Sequence, residues 1–187
     1  MRSRSGYRAG VLIERIALDL RDFEFTIVAP DRADFRSRSG DVRFNVRELL
    51  ESHLLMHIAS AEFIVRCPSR CCGRETTEIG AIVARHRGSL RRKGIEYRVS
   101  PPASDAARRL RDALSRSAEL TAALMPLDFT HCRFNLAPRH VEMRVRHYGA
   151  CEIVGRLPKF RRYVRLGAEQ RESLLSVFRA FGNIIQS

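Results

Sequence analysis

Lysine is nearly absent from this chain. Lys93 and Lys159 are the only two, so the positive charge is carried by arginine. Long apolar runs are missing as well: no stretch approaches the roughly 18 apolar residues that a membrane-spanning helix needs. Arg2 and Arg4 are not followed by an apolar stretch, so no secretory signal is expected there. There is no Gly-Lys-Ser/Thr phosphate loop, no Gly-x-Gly-x-x-Gly turn and no Gly-x-Ser-x-Gly elbow. Their absence removes the common nucleotide-binding, dinucleotide-binding and serine-hydrolase classes. The five cysteines are odd in number and unevenly spaced, which suits free thiols in a reducing cytoplasm.

A chain of 187 residues with 44% hydrophobic content suits one domain. At that size folding buries on the order of 70% of the unfolded surface, so no disulfide or metal is needed to hold it. The net charge of +13 is the unusual bulk feature. It fits a surface for nucleic acid or another polyanion, or arginine used in place of lysine on solvated faces. Acidic residues are interspersed with the basic ones from end to end, which favours solvated faces.

Residues 1–9 read as a flexible basic arm and residues 10–187 as a single α+β domain. Val11, Leu12, Ile16 and Leu20 have the spacing of an amphipathic helix. Phe23, Phe25 and Ile27 alternate as a strand, and residues 30–40 are polar enough to be loop. Val42, Phe44 and Val46 alternate again. Residues 47–61 are rich in good helix formers, and Leu50, Leu54 and Ile58 would share a helical face, so a helix is expected there. Strands are expected at Phe63–Cys67, Ile79–Arg85, Ile95–Val99, 128–136 and 140–148. Ser104 and Ser117 are placed to cap two helices. Leu174, Leu175, Phe178, Phe181 and Ile185 line a C-terminal amphipathic helix, with Glu169 and Glu172 at its positive end. Helices that cluster instead of alternating with strands indicate an antiparallel sheet with helices packed on it.

Two basic stretches are candidate anion or ligand sites. The first holds Arg85, Arg87, Arg91, Arg92, Lys93 and Arg98, with Arg91, Arg92 and Lys93 as its candidate ligands; the second holds Arg156, Lys159, Arg161, Arg162 and Arg165. Phe160 and Tyr163 interleave with the second, as they would to stack bases, or they anchor a helical turn. No RNA-recognition octapeptide or helix-turn-helix accompanies them. Residues 85–94 echo residues 146–155 at an Arg, a His and two Gly positions. Strand phase turns His86 and His147 inward, so each is either a core histidine or part of a shared acid–base pocket. No nucleophile or orienting carboxylate completes a triad. Cys67, Cys71 and Cys72, with His53 and His57, lack a second cysteine pair, so no metal site is expected. No cofactor is expected either.

Leu-Leu-Met-His at 54–57, Met-Pro-Leu-Asp-Phe at 125–129 and the run from Arg146 to Val164 together resemble a bacterial family, a domain of unknown function numbered three-one-five-six. The resemblance spans residue 10 to the end. It implies a bacterial source and carries no activity, cofactor or catalytic residue. The functional expectation is a non-enzymatic cytoplasmic domain that binds a partner or anionic ligand through an arginine-rich surface. An enzyme using the two histidines and a nucleic-acid-binding protein are the alternatives.

Overall fold

The computed structural model describes residues 7–68, 80–88 and 91–186. In chain order the elements are α1 (Val11–Asp19), β1 (Phe23–Ala29), β2 (Arg32–Ser37), β3 (Arg43–Ser52), β4 (Met56–Pro68), β5 (Gly80–Arg87) and β6 (Gly94–Val99). They continue with α2 (Asp105–Arg116), α3 (Ala118–Leu124), β7 (Phe129–Ala137), β8 (His140–Gly155), β9 (Phe160–Val164) and α4 (Ala168–Gln186). The strands form one antiparallel sheet in the order β1-β2-β3-β4-β8-β7-β5-β6, with β9 also paired to β8. The α+β class and the C-terminal helix stand as expected.

Strand β8 organises the sheet. One of its edges pairs with β4 from Met56↔Gly155 to Pro68↔His140. The other edge is divided between β7, which ends at Phe129↔His147, and β9, which begins at Cys151↔Val164. At the division Ala150 has a φ of 53° and the register against β4 shifts. Gly149 admits no side chain there, because a Cβ would lie 2.8 Å from the Arg165 carbonyl oxygen.

Paired residues on antiparallel neighbours share a face. One face carries Phe35, Phe44, Phe63 and Phe134, and all four helices bury their apolar stripes against it. Phe178 and Phe181 of α4 meet Phe44 and Phe134 at ring-centroid distances of 5.2 and 5.5 Å. Ser104 and Ser117 cap α2 and α3 by accepting from the N–H groups of Ala107 and Leu120. Helix α1 has no side-chain cap of its own. The buried carboxylate of Glu48 on β3 accepts instead from the N–H groups of Gly10 and Ile13, at 3.1 and 3.0 Å, and from the Tyr7 hydroxyl at 2.6 Å. A negative group there also complements the helix dipole. Burial and that carboxylate push the Tyr7 hydroxyl above its ordinary pKa, so it stays a donor.

Two expectations are overturned. Residues 47–61 are not a helix: they belong to β3, a turn and β4. The leucines that suggested helical spacing are split between two strands, and pairing along both strand edges outweighs their propensity. Residues 32–37 are strand, not loop. Ala33, Phe35 and Ser37 are buried, while Arg32, Asp34 and Arg36 are exposed. That alternation was present but was masked by the surrounding polar residues. Strand β8 also runs past residue 148 to Gly155, and the second basic stretch contains a strand, not a helical turn.

Replacing Glu48 by Ala removes three accepted hydrogen bonds from a buried site and is expected to cost about 3 kcal/mol. Glu48→Gln keeps one acceptor oxygen and should cost roughly half as much. Urea denaturation midpoints for the two variants check both the effect and its order.

Candidate anion-binding face

Among the described residues no helix covers the other face of the sheet. Its residues follow from the register. One row runs Thr26, Asp34, Asn45, Ile64, Arg144, Arg133, Val83, Arg98, and a parallel row runs Arg32, Arg47, Glu62, Arg146, His131. Arg36, Arg43, Arg66, Arg85 and Arg87 lie on the same face. Arginine therefore outnumbers carboxylate across this surface. Ile64 is only 5% exposed although no helix lies above it. Its register neighbours are Asn45 and Arg144, with Arg66 two residues along β4, side chains whose stems can shield it while their polar ends stay wet.

The charges are partly balanced at the centre. Glu142 accepts from Arg66 at 2.7 Å and from Arg144 at 2.5 Å, and Arg146 pairs with Glu51 at 2.7 Å. Burial raises the Glu142 pKa, but the two arginine hydrogen bonds outweigh it and hold the carboxyl below its ordinary value. Like charges stand directly opposite elsewhere: Arg32 faces Arg47, Arg36 faces Arg43, and Arg133 faces Arg144. Like-charged cross-strand pairs destabilise a sheet. Arg36, Arg43, Arg85 and Arg87 make no ion pair among the described residues, and the buried Nε atoms of Arg47 and Arg146 lack an acceptor. A depression of about 550 Å³ lies over β1–β4. It is lined by Arg36, Arg43 and Arg66, with Glu24, Thr26, Asp34, Asn45 and Ile64. Asp34 is already engaged by the side-chain amide of Asn45.

Of the first basic stretch, Arg85, Arg87 and Arg98 lie on this surface, whereas the arginines of β2, β3, β4 and β7 belong to neither stretch. Arginines on it recur at every second position of a strand, as in Arg85 and Arg87 or Arg144 and Arg146. The signal was strand alternation in charge, which a search for consecutive cations misses.

The two basic stretches sit on different elements. Arg92 hydrogen-bonds the Met125 carbonyl at 2.8 Å and pairs with Asp128. Arg156 donates to Nε2 of His57 at 3.0 Å. Arg161 approaches Glu152 at 3.4 Å and Arg165 pairs with Asp19, the last residue of α1, at 3.1 Å; both carboxylates are buried. Tyr163 donates to Asp19 at 2.7 Å. Arg91, Lys93, Lys159 and Arg162 are exposed and make no ion pair among the described residues.

The histidines turn inward as their strand phase requires, and each is engaged. His86 donates from Nε2 to the Leu124 carbonyl at 3.0 Å and stacks on Phe129 at 4.4 Å. His147 accepts at Nδ1 from the Gly149 N–H at 2.7 Å, so its proton sits on Nε2 and reaches Gln170 Oε1 at 2.8 Å. Gln170 also accepts from the Asp128 N–H and donates to the Pro126 carbonyl. The rings thus help to hold the 124–128 segment. Burial lowers both pKa values below the ordinary 6.5. Cys67, Cys132 and Cys151 are buried free thiols, with burial pushing Cys67 up to about 11 and Cys132 up to about 12. Cys71 and Cys72 lie outside the described residues. Among the described residues no cluster of His, Cys, Asp and Glu could hold a metal ion, and no helix is long and apolar enough to cross a membrane.

A histidine whose folded pKa is lowered binds protons more readily when unfolded. Stability should therefore fall as pH drops below about 6.5 and level off below the folded-state value. His147→Asn is expected to cost about 1 kcal/mol at neutral pH and to flatten that decline. Thermal melts of both proteins across the acid range measure the slopes.

No curated protein and no solved structure matches the chain. One family model matches residues 18–185, which takes in all nine described strands, α2, α3 and all but the last residue of α4. By that match the chain belongs to the family described as Protein of unknown function (DUF3156).

Proposed function

We propose that the uncovered sheet face binds an extended polyanion, and that the protein is a non-enzymatic binding domain of the cytoplasm. The observation that carries this reading is the set of opposed arginine pairs, above all Arg36 with Arg43 beside Arg66. Such pairs cost stability in the free protein. Phosphate or sulfate groups seated between them would remove that cost and gain charge-assisted hydrogen bonds. The face has few aromatic side chains, with Tyr148 at its rim. Base stacking is therefore a poor match, and nucleic acid would be held through its phosphates as one polyanion among several. Buried reduced thiols suit a cytoplasmic setting.

Heparin or polyphosphate should bind at low salt and weaken steeply as salt rises. The triple variant R36S/R43S/R66S should lose about tenfold in affinity and lower the log–log salt slope by about three. R108S/R109S/R111S removes the same charge from α2, on the covered side, and should change little. Equal losses in the two variants, or no binding by the parent, would discard the reading.

A further inference from the structure

The uncovered face changes character where β3 meets β4 and β8 meets β9. The turn at residues 53–55 and the turn at residues 156–159 lie side by side. The Arg156 N–H donates to the Leu55 carbonyl at 2.8 Å, one step beyond the Met56↔Gly155 pair. The Arg156 guanidinium donates to His57, whose Nδ1 is tied to Ser52 at 3.0 Å. The two turns are thus joined into one tip. That tip carries the two most exposed large apolar side chains among the described residues, Leu54 at 87% and Leu157 at 77%. Leu55 and Phe160 are half-exposed beside them. Phe160 lies flat over Gly155, where a Cβ would come within 2.2 Å of its ring.

Residues 53–61 and 153–166 contain no acidic residue. Lys159, in the second turn, and Arg162, on β9 beside it, make no ion pair among the described residues. Arg162 follows Phe160 by two residues on β9, which places it about 7 Å further from the tip. That offset matches the 5–10 Å or so by which an interfacial apolar face sinks below the lipid headgroups.

We infer that this double-hairpin tip docks on an anionic phospholipid surface. Leu54, Leu55, Leu157 and Phe160 enter the acyl boundary, and Lys159 and Arg162 contact headgroup phosphates. Side chains projecting from turn apices suit a planar bilayer better than a concave protein site, and the cations behind them complement anionic lipid. Neither signal is strong alone; apolar insertion and cation pairing act together. The site is separate from the arginine pairs of the polyanion-binding face.

The chain has no tryptophan, so L157W supplies a single reporter at an exposed position. With vesicles of phosphatidylglycerol and phosphatidylcholine, its emission should shift to the blue and be quenched by lipids brominated near the headgroup. Adding L54S should weaken partitioning about tenfold. Adding K159S/R162S should weaken it similarly on anionic vesicles and leave phosphatidylcholine alone unaffected. The R36S/R43S/R66S changes should leave quenching in place, which separates this site from the polyanion-binding face. Emission that stays at its aqueous wavelength overturns the inference. So does a blue shift that grows with protein concentration without vesicles, as a second copy covering the tip would produce. Vesicle binding lost only on mutation of the sheet face overturns it equally.

Discussion

One-sided burial is the constraint on which this structure depends. A broad antiparallel sheet gains most of its stability from the apolar face that the helices cover. Its other face must then remain compatible with water without a second helical layer. Arginine suits that need twice: its stem can cover apolar atoms, and its guanidinium group stays solvated. Glu62 and Glu142, both buried among these side chains, absorb part of the charge. Each surface ion pair contributes little alone. Together they keep the centre of the face ordered, and the surplus cations fall towards β2–β3 and β5.

The same exchange of charge for order occurs beneath α1. Glu48 and Glu152 are buried there, on the helix-covered side, and Asp19 is buried at the end of α1 itself. Glu48 closes the helix N-terminus. Glu152 takes Arg15 at 2.9 Å and Arg161 at 3.4 Å, and Asp19 takes Arg165, Tyr163 and the Leu166 N–H. A buried carboxylate is tolerated only with such partners. Of the five residues of the second basic stretch, Arg161 and Arg165 are therefore consumed around α1, and Arg156 is taken up by His57. What remains for an external ligand is the part facing away, Lys159 and Arg162. A basic run in a sequence counts charges; only the fold separates those spent internally from those left for solvent.

The elements legible in the sequence were those whose signal is local. Ser104 and Ser117 announced their helices, Leu174, Phe178 and Phe181 gave α4 its stripe, and Val141, Met143, Val145 and His147 showed one strand phase. Residues 47–61 failed because Glu and Leu favour a helix in isolation, whereas the reward for strand comes from β4 and β8, distant in sequence. Strand β2 failed because only Ala33 and Phe35 mark its buried side. The inward turn of His86 and His147 was legible, but their partners were not: Leu124 and Gln170 are 38 and 23 residues away. The candidate face was the least legible feature. It is assembled from arginines on seven strands; the stretch at 85–98 holds three of them, and the others are scattered one or two to a strand.

Strand β8 connects these surfaces mechanically. Its first half lies beneath the arginine face and its second half supports the apolar tip, with the irregularity at Gly149 and Ala150 between them. Strand β4 runs unbroken past it and pairs with both halves. His147 fixes it from one side by accepting the Gly149 N–H and passing its own proton to Gln170 at the start of α4. Gln170 carries the constraint on to Asp128 and Pro126, at the entry to β7. The packed contact of Gly149 against the Arg165 carbonyl fixes it from the other side, through β9. A buried histidine that is fully hydrogen-bonded while neutral suits this task, because protonation would set a second donor against the Gly149 N–H. The knot therefore ties the break in β8 to the start of α4, to the entry of β7 and to β9 at once, so the face and the tip share one buried anchor.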